Sequence, residues 1–137
     1  MRRKAGGSSP RVLLVEDDAV VAMVLGMCLG EAGFEVCQVS AGGEALHVLD
    51  RECPDAVVLD LGLPDQLGGA VLERLRLRRG RPAPAWVVIS AFSREEATQR
   101  YGPLGSFLAK PFDPYVLVRR LDELLGGRLT ESLTRRS

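Results

Sequence analysis

Five short apolar runs, each followed by a stretch with helical spacing, constrain this chain more than any other feature. The runs occupy residues 12–15, 35–39, 56–59, 86–89 and 106–109. Strands separated by helix-length connections join one sheet only through crossovers, so the pattern predicts an α/β fold with a parallel sheet. The first, third and fourth runs are apolar at every position: Val12-Leu13-Leu14-Val15, Ala56-Val57-Val58-Leu59 and Trp86-Val87-Val88-Ile89. Strands of that kind are buried on both faces, which requires helices on both sides of the sheet. The second run, Glu35-Val36-Cys37-Gln38-Val39, alternates and is expected at an edge.

The intervening segments carry helix signals of unequal strength. After Asp18, Val21, Val24, Leu25, Cys28 and Leu29 follow the spacing of a buried helical stripe, and Gly33 is the expected stop. Two further helices fit residues 42–52 and 67–79. Only a short or irregular fourth helix fits 93–101, before the turn-forming Gly102-Pro103-Leu104-Gly105. The fifth begins with Asp113 as N-cap and Pro114 at the first helical position, and is expected to carry Leu117, Leu121 and Leu124 inward before Gly126.

The chain has 137 residues, enough for one domain. Composition assigns residues 1–10 and 127–137 to polar tails and 11–126 to the folded unit. With 18 basic and 18 acidic residues, no net field draws the chain to nucleic acid or an anionic membrane, and neither is expected as a partner. The uncharged apolar stretch 19–30 is shorter than the roughly 20 residues of a membrane span, and Met1-Arg2-Arg3-Lys4 leads into no apolar signal core. The chain therefore reads as soluble and cytoplasmic. Cys28, Cys37 and Cys53 show no ligand spacing and read as buried reduced thiols, while His47 reads as a surface or packing residue. The arginines at 74, 76, 78, 79 and 81 read as a solvated face. No Gly-rich phosphate loop follows any strand, so a nucleotide site has no support.

The chemistry gathers at the carboxyl ends of the strands, where ligands bind in open parallel sheets. The first strand ends in Glu16-Asp17-Asp18, the third at Asp60, the fourth at Ser90 and the fifth at Lys110-Pro111. Converging carboxylates repel by about 4 kcal/mol per close pair at an effective dielectric of 20, so the site needs positive charge. Lys110 supplies one; a hard divalent cation on oxygen ligands, Mg²⁺ or in substitution Mn²⁺, supplies the other. Asp18 more simply caps the first helix. A carboxylate beside a cation, with a hydroxyl and an ammonium opposite, forms a cage for phosphoryl oxygens in which the carboxylate is a nucleophile.

Across 11–126 these residues resemble the receiver domain of bacterial two-component response regulators. Four motifs carry the resemblance in order: Val15-Glu16-Asp17-Asp18, Leu59-Asp60-Leu61-Gly62-Leu63-Pro64-Asp65 with Gly68, Ile89-Ser90-Ala91, and Ala109-Lys110-Pro111-Phe112. The resemblance implies a flavodoxin-like, doubly wound (βα)5 fold of strand order 2-1-3-4-5. It implies Asp60 as phospho-acceptor, Asp17 as direct metal ligand, Glu16 as its acidic partner through water, and the Gly62 carbonyl as a further ligand. Ser90 becomes the switch hydroxyl, Lys110 the phosphate-contacting lysine, and Pro111 the second residue of a cis peptide bond. The implied donor is a histidine kinase or a histidine phosphotransfer protein, with the chain as a single-domain regulator that switches partner binding and assists its own phosphorylation and dephosphorylation.

Two positions depart from the family pattern. Phe107 stands where a switch tyrosine is frequent, so its ring can rotate but has no hydroxyl; a core phenylalanine is the alternative. Phe92, two residues beyond Ser90, is placed to crowd the water that hydrolyses an acyl phosphate. The first helix has no charge between Asp18 and Glu31 and offers Val20, Met23 and Met27 outward, with Ala22, Gly26 and Gly30 at four-residue spacing. That face predicts a helical partner, the phosphodonor or a second copy. A receiver fold that docks without turnover is the alternative function. An aspartate-nucleophile phosphatase would need a second acid where Asp60-Leu61-Gly62 has none, and a cap domain.

Overall fold

The computed structural model describes residues 9–77 and 83–127. The five runs form β1 (Arg11–Val15), β2 (Glu35–Val39), β3 (Ala56–Asp60), β4 (Ala85–Ser90) and β5 (Ser106–Ala109). Between and after them lie α1 (Ala19–Glu31), α2 (Gly42–Arg51), α3 (Gly68–Arg76), α4 (Arg94–Tyr101) and α5 (Pro114–Leu124). The sheet is parallel throughout, in the order β2-β1-β3-β4-β5, so the alternating second run is indeed an edge strand. This is the doubly wound, flavodoxin-like arrangement expected from the sequence.

Alternate residues of the central strands feed two cores. Leu13, Val15, Val57, Leu59, Val88 and Phe107 meet Ala45 and Leu49 of α2, Val71, Leu72 and Leu75 of α3, and Ala97 of α4. On the opposite face Val12, Leu14, Val58, Val87, Ile89 and Leu108 meet Leu25 and Leu29 of α1 and Leu117 and Leu121 of α5. Each fully buried leucine contributes roughly 1.5–3 kcal/mol. A one-residue register slip would exchange the two cores, so the polar residues ending each strand are fixed in place by the apolar residues before them.

Local signals set most helix ends. Asp18 Oδ1 accepts from the Val20 and Val21 amides at 3.0 and 3.1 Å. At the far end of α1, Gly33 takes φ +111°, and the Phe34 amide donates to the Leu29 carbonyl at 3.0 Å. The fourth helix is short but regular, with a capping box: the Glu96 amide donates to Ser93 Oγ at 3.1 Å and the Ser93 amide to Glu96 Oε1 at 2.9 Å. Asp113 caps α5 through the Tyr115 amide at 2.9 Å, with Pro114 at the first position.

Several sequence expectations need correction. In α1 the buried line is Ala22, Leu25 and Leu29, with Val21 and Cys28 half-buried and Val24 exposed. A helix without charges carries no polar face to define its rotation, so its sequence leaves the phase open. Leu124 is exposed as well, because the inward row of α5 steps by four from Leu117 to Leu121 to the half-buried Leu125. Cys37 and Cys53 are exposed, the first on the edge strand and the second in the loop after α2, while Cys28 is half-buried. Pro10, assigned to the tail, is buried, and its carbonyl accepts from the Glu35 amide at 2.9 Å.

Helix α3 starts one residue later than expected and is described to Arg76, capped by Leu77, and α2 stops at Arg51. Arg78, Arg79 and Arg81, with the remainder of both tails, lie outside the described residues. Of that basic run Arg74 pairs with Asp50 and Arg76 with Glu73, and His47 is exposed. Among the described residues no helix is long and apolar enough to cross a membrane.

Candidate functional site

Because the strands are parallel and in register, the residues after them converge at one end of the sheet. Val15 lies beside Leu59, Asp60 beside Ile89, and Ser90 beside Ala109. Glu16 and Asp17 therefore emerge next to Asp60, which ends β3, and Lys110 emerges next to Ser90, which ends β4. Carboxylate oxygens of Glu16, Asp17 and Asp60 lie within 4.8 Å of one another. Glu16 and Asp60 are 0% and 5% exposed, whereas Asp17 faces solvent.

Lys110 joins the two buried acids. Its Nζ donates to Glu16 Oε1 at 2.6 Å and to Asp60 Oδ2 at 3.2 Å. Its backbone amide donates to the Ser90 carbonyl at 2.7 Å, and the Lys110–Pro111 peptide is cis. The remaining carboxylate oxygens take backbone donors: Asp60 Oδ1 accepts from the Gly62 amide and Glu16 Oε2 from the Asp18 amide, both at 3.1 Å. Burial is the main cause that raises the Glu16 carboxyl above its ordinary range, with Asp60 adding to the effect and the Lys110 hydrogen bond opposing it. Burial also works against the Lys110 ammonium, but its bond to Glu16 and the charges of Asp60 and Glu16 outweigh it, so Lys110 titrates higher than a free lysine.

The loop after Asp60 is held by a contact the sequence reading did not assign. Asp65 accepts from the amides of Gly42, Gly43 and Leu67 at 3.1, 2.9 and 3.3 Å. It thereby caps α2, whose own N-cap residue Ala41 has no side chain to do so. These amides, that of Gly43 foremost, hold the Asp65 carboxyl below its usual range. A Cβ on Gly42 would stand 2.6 Å from Leu67 Cβ, and one on Gly68 would stand 2.6 Å from the Leu61 carbonyl oxygen. The available signal was Ala41-Gly42-Gly43, a helix start without a capping side chain.

Of the residues singled out in the sequence, Lys110 meets Glu16 and Asp60 directly, and Asp17 brings a carboxylate oxygen within 4.8 Å of theirs. Ser90 is 1% exposed at the adjacent strand end, and its Oγ accepts from the Phe92 amide at 3.0 Å. Gly62 is exposed, bound through its amide to Asp60. Phe107 is buried on the α4 side of the sheet, where the Arg94 guanidinium lies 5.5 Å from its ring centroid.

On α1, Val20, Met23 and Met27 are exposed, and a groove of about 530 Å³ runs between α1 and β2 from Asp17 past Met23, Gly26 and Met27 to Val36 and Gln38. Ala22 belongs to the core, and a Cβ on Gly26 or Gly30 would meet nothing within 4 Å.

The three-carboxylate cluster has an all-oxygen donor set suited to a hard divalent ion, with no imidazole or thiolate among its donors. With such a cation held beside the Lys110 ammonium and the Ser90 hydroxyl at the adjoining strand ends, the site would offer positive charge and a hydrogen-bond donor to an anionic group.

Comparison with known proteins agrees with the fold. The family profile for the response regulator receiver domain matches residues 12–122. The chain is 36% identical over 124 residues to the transcriptional regulatory protein PrrA of Mycobacterium tuberculosis, covering 90% of this chain and 53% of PrrA. It is 35% identical over 127 residues to the transcriptional activator protein IrlR of Burkholderia pseudomallei, covering 89% and 53%. The chain thus spans about half the length of these relatives. Among solved structures, a CheY-like response regulator receiver domain from Methylobacillus flagellatus superposes with a TM-score of 0.70 at 30% identity, covering 85% of this chain and 99% of that one.

Proposed function

Because the chain belongs to the response regulator receiver domain family, a family of signalling domains, we propose that it accepts a phosphoryl group on Asp60 from a phosphohistidine donor and thereby switches a partner interaction. The observation that carries this reading is Lys110 bridging the two buried acids Glu16 and Asp60, with the Asp17 carboxylate close by. An Asp60 carboxylate oxygen attacks phosphorus, the P–N bond to the donor imidazole breaks, and a P–O bond forms. Lys110 contacts the transferred group and Ser90 supplies a hydroxyl to it. Asp17, Asp60 and the Gly62 carbonyl, with Glu16 through water, would hold Mg²⁺ or Mn²⁺. When bound, the ion neutralises carboxylate charge and draws phosphoryl oxygens toward Asp60.

The donor is a histidine kinase or a histidine phosphotransfer protein, and cytoplasmic residence goes with it. The exposed apolar face of α1, Val20, Met23 and Met27, is proposed as its docking surface, since the groove beside it opens at Asp17. Phe107 and the loop after β4 would report the phosphorylated state to a downstream partner.

Acetyl phosphate with Mg²⁺ tests the reading. The wild type should gain the mass of one phosphoryl group, which hydroxylamine removes, and Asp60→Asn should gain none. Met23→Glu should label from acetyl phosphate at the wild-type rate but from its protein donor about tenfold or more slowly, because a charge is buried in the contact. Labelling that survives Asp60→Asn would sink the acceptor assignment; an unaltered donor rate in Met23→Glu would sink the docking face.

A further inference from the structure

We propose that Arg100 is a positioning residue for the Ser90 hydroxyl, acting through the ring of Phe92 and holding the loop after β4 back from Asp60. The inference rests on the phosphoryl-acceptor reading and names a control on that same site.

Four contacts in series carry it. Ser90 Oγ accepts the Phe92 amide at 3.0 Å, so the hydroxyl is tied to the backbone of Phe92. A serine hydroxyl has one proton to donate and lone pairs to accept, so this bond fixes its direction while leaving the proton free. The Phe92 ring packs on the α2–α4 core and is covered from outside by the Arg100 guanidinium, 4.4 Å from the ring centroid. At that distance a guanidinium over an aromatic face is held by the ring quadrupole. The residue after Phe92 is Ser93, locked by its reciprocal bonds with Glu96 at 2.9 and 3.1 Å. Helix α4 therefore grips the loop twice, through its cap at Ser93 and through its last turn at Arg100.

The two grips differ in what they resist. The capping box keeps the helix start formed and moves with the loop. The stack of Arg100 on Phe92 ties the ring to the far end of the helix, so it resists displacement of Phe92 relative to α4. For Ser90 to close on a phosphoryl group at Asp60, the Phe92 amide must follow or be released, and either shifts the ring beneath Arg100. The stack thus favours the position in which Ser90 Oγ stays with the Phe92 amide beneath Arg100, and removing it shifts the population toward one closed on Asp60. A single half-exposed stack supports a change of about two- to fivefold in that equilibrium.

Beryllium fluoride, which mimics an acyl phosphate on a carboxylate, reads the shift when titrated in Mg²⁺ by calorimetry. Arg100→Ala should bind it about two- to fivefold more tightly than the wild type. Arg100→Lys, which keeps a cation over the ring, should restore wild-type affinity. Phe92→Leu should match Arg100→Ala, and the double variant should show no further gain. In a Ser90→Ala background Arg100→Ala should have no effect, which separates positioning of the hydroxyl from general loosening of α4. Unchanged affinity in Arg100→Ala, additive effects of the two substitutions, or a gain that persists without the Ser90 hydroxyl each overturn the proposal. If Asp60→Asn binds beryllium fluoride as well as the wild type, the acceptor reading falls and this inference with it; if only the Arg100 variants are indifferent, the acceptor reading stands alone.

Discussion

Replacing Lys110 by alanine leaves two buried carboxylates facing each other with no cation between them. At an effective dielectric of 20, the Lys110 bonds of 2.6 and 3.2 Å correspond to gross attractions of about 6 and 5 kcal/mol, against a repulsion of at least about 3.5 kcal/mol for two acids whose oxygens lie within 4.8 Å. These gross terms largely offset the desolvation of the three charges, so none is itself a stability. What survives in a variant is the cost of an uncompensated buried charge, about 3–5 kcal/mol when one partner of a buried pair is removed. Lys110 is partly exposed and solvent reaches the site beside Asp17, which places the expected loss near the lower end, about 3 kcal/mol.

The loss should depend on pH with a definite sign. Glu16 already titrates above its ordinary range because it is buried, and Lys110 opposes that rise. Without Lys110 the folded-state carboxyl moves higher still, while the unfolded chain keeps a value near 4.3. Between those two values the folded variant holds a proton that the unfolded chain releases, so its stability increases as the pH falls through the folded value. Urea unfolding at pH 8 and pH 5.5 without divalent cations should show the deficit against the wild type narrowing at the lower pH. Adding Mg²⁺ at pH 8 should recover part of it. A deficit below about 1 kcal/mol, or one that widens on acidification, would refute the view that Lys110 is the counter-ion of a buried acidic pair.

Glycine substitutions should divide by location. Gly42→Ala and Gly68→Ala place a Cβ 2.6 Å from Leu67 and Leu61 and should each cost about 1–3 kcal/mol in urea unfolding, whereas Gly26→Ala and Gly30→Ala meet open space and should gain about 0.4–1 kcal/mol each. Asp65→Ala should lower the melting temperature at neutral pH. Because the folded carboxyl is held below its ordinary value, its contribution is present above about pH 4 and is lost as the pH falls through the folded value, so the melting curves of variant and wild type should converge in acid.

What the sequence made legible was decided by how local each cause is. An apolar run long enough to cross the sheet fixes where the chain emerges, so Glu16, Asp60, Ser90 and Lys110 could be placed at strand ends before any coordinates. Asp18 and Asp113 cap helices two or three residues ahead, and those bonds were readable for the same reason. The rotation of α1 was not, because thirteen residues without a charge in the interior allow several faces to be the buried one, and only packing against the sheet and α5 chooses the line of Leu25 and Leu29, with Ala22 buried beside it.

Contacts between distant parts of the chain were equally hidden. Asp65 caps a helix that begins 23 residues earlier, a bond with no spacing to betray it; Lys110 was expected as counter-charge to the acids, but that its shorter bond goes to Glu16 and not to Asp60 is set only by packing. The same limit applies to Arg100 on Phe92: the separation fits a short helix reaching back, but which arginine of α4 covers which ring depends on how the helix lies against the sheet. Local pattern sets where the strand-end groups sit; if the proposals above hold, contacts of this kind set how readily those groups move, and two chains with identical strand-end motifs would then differ in response through residues that no motif contains.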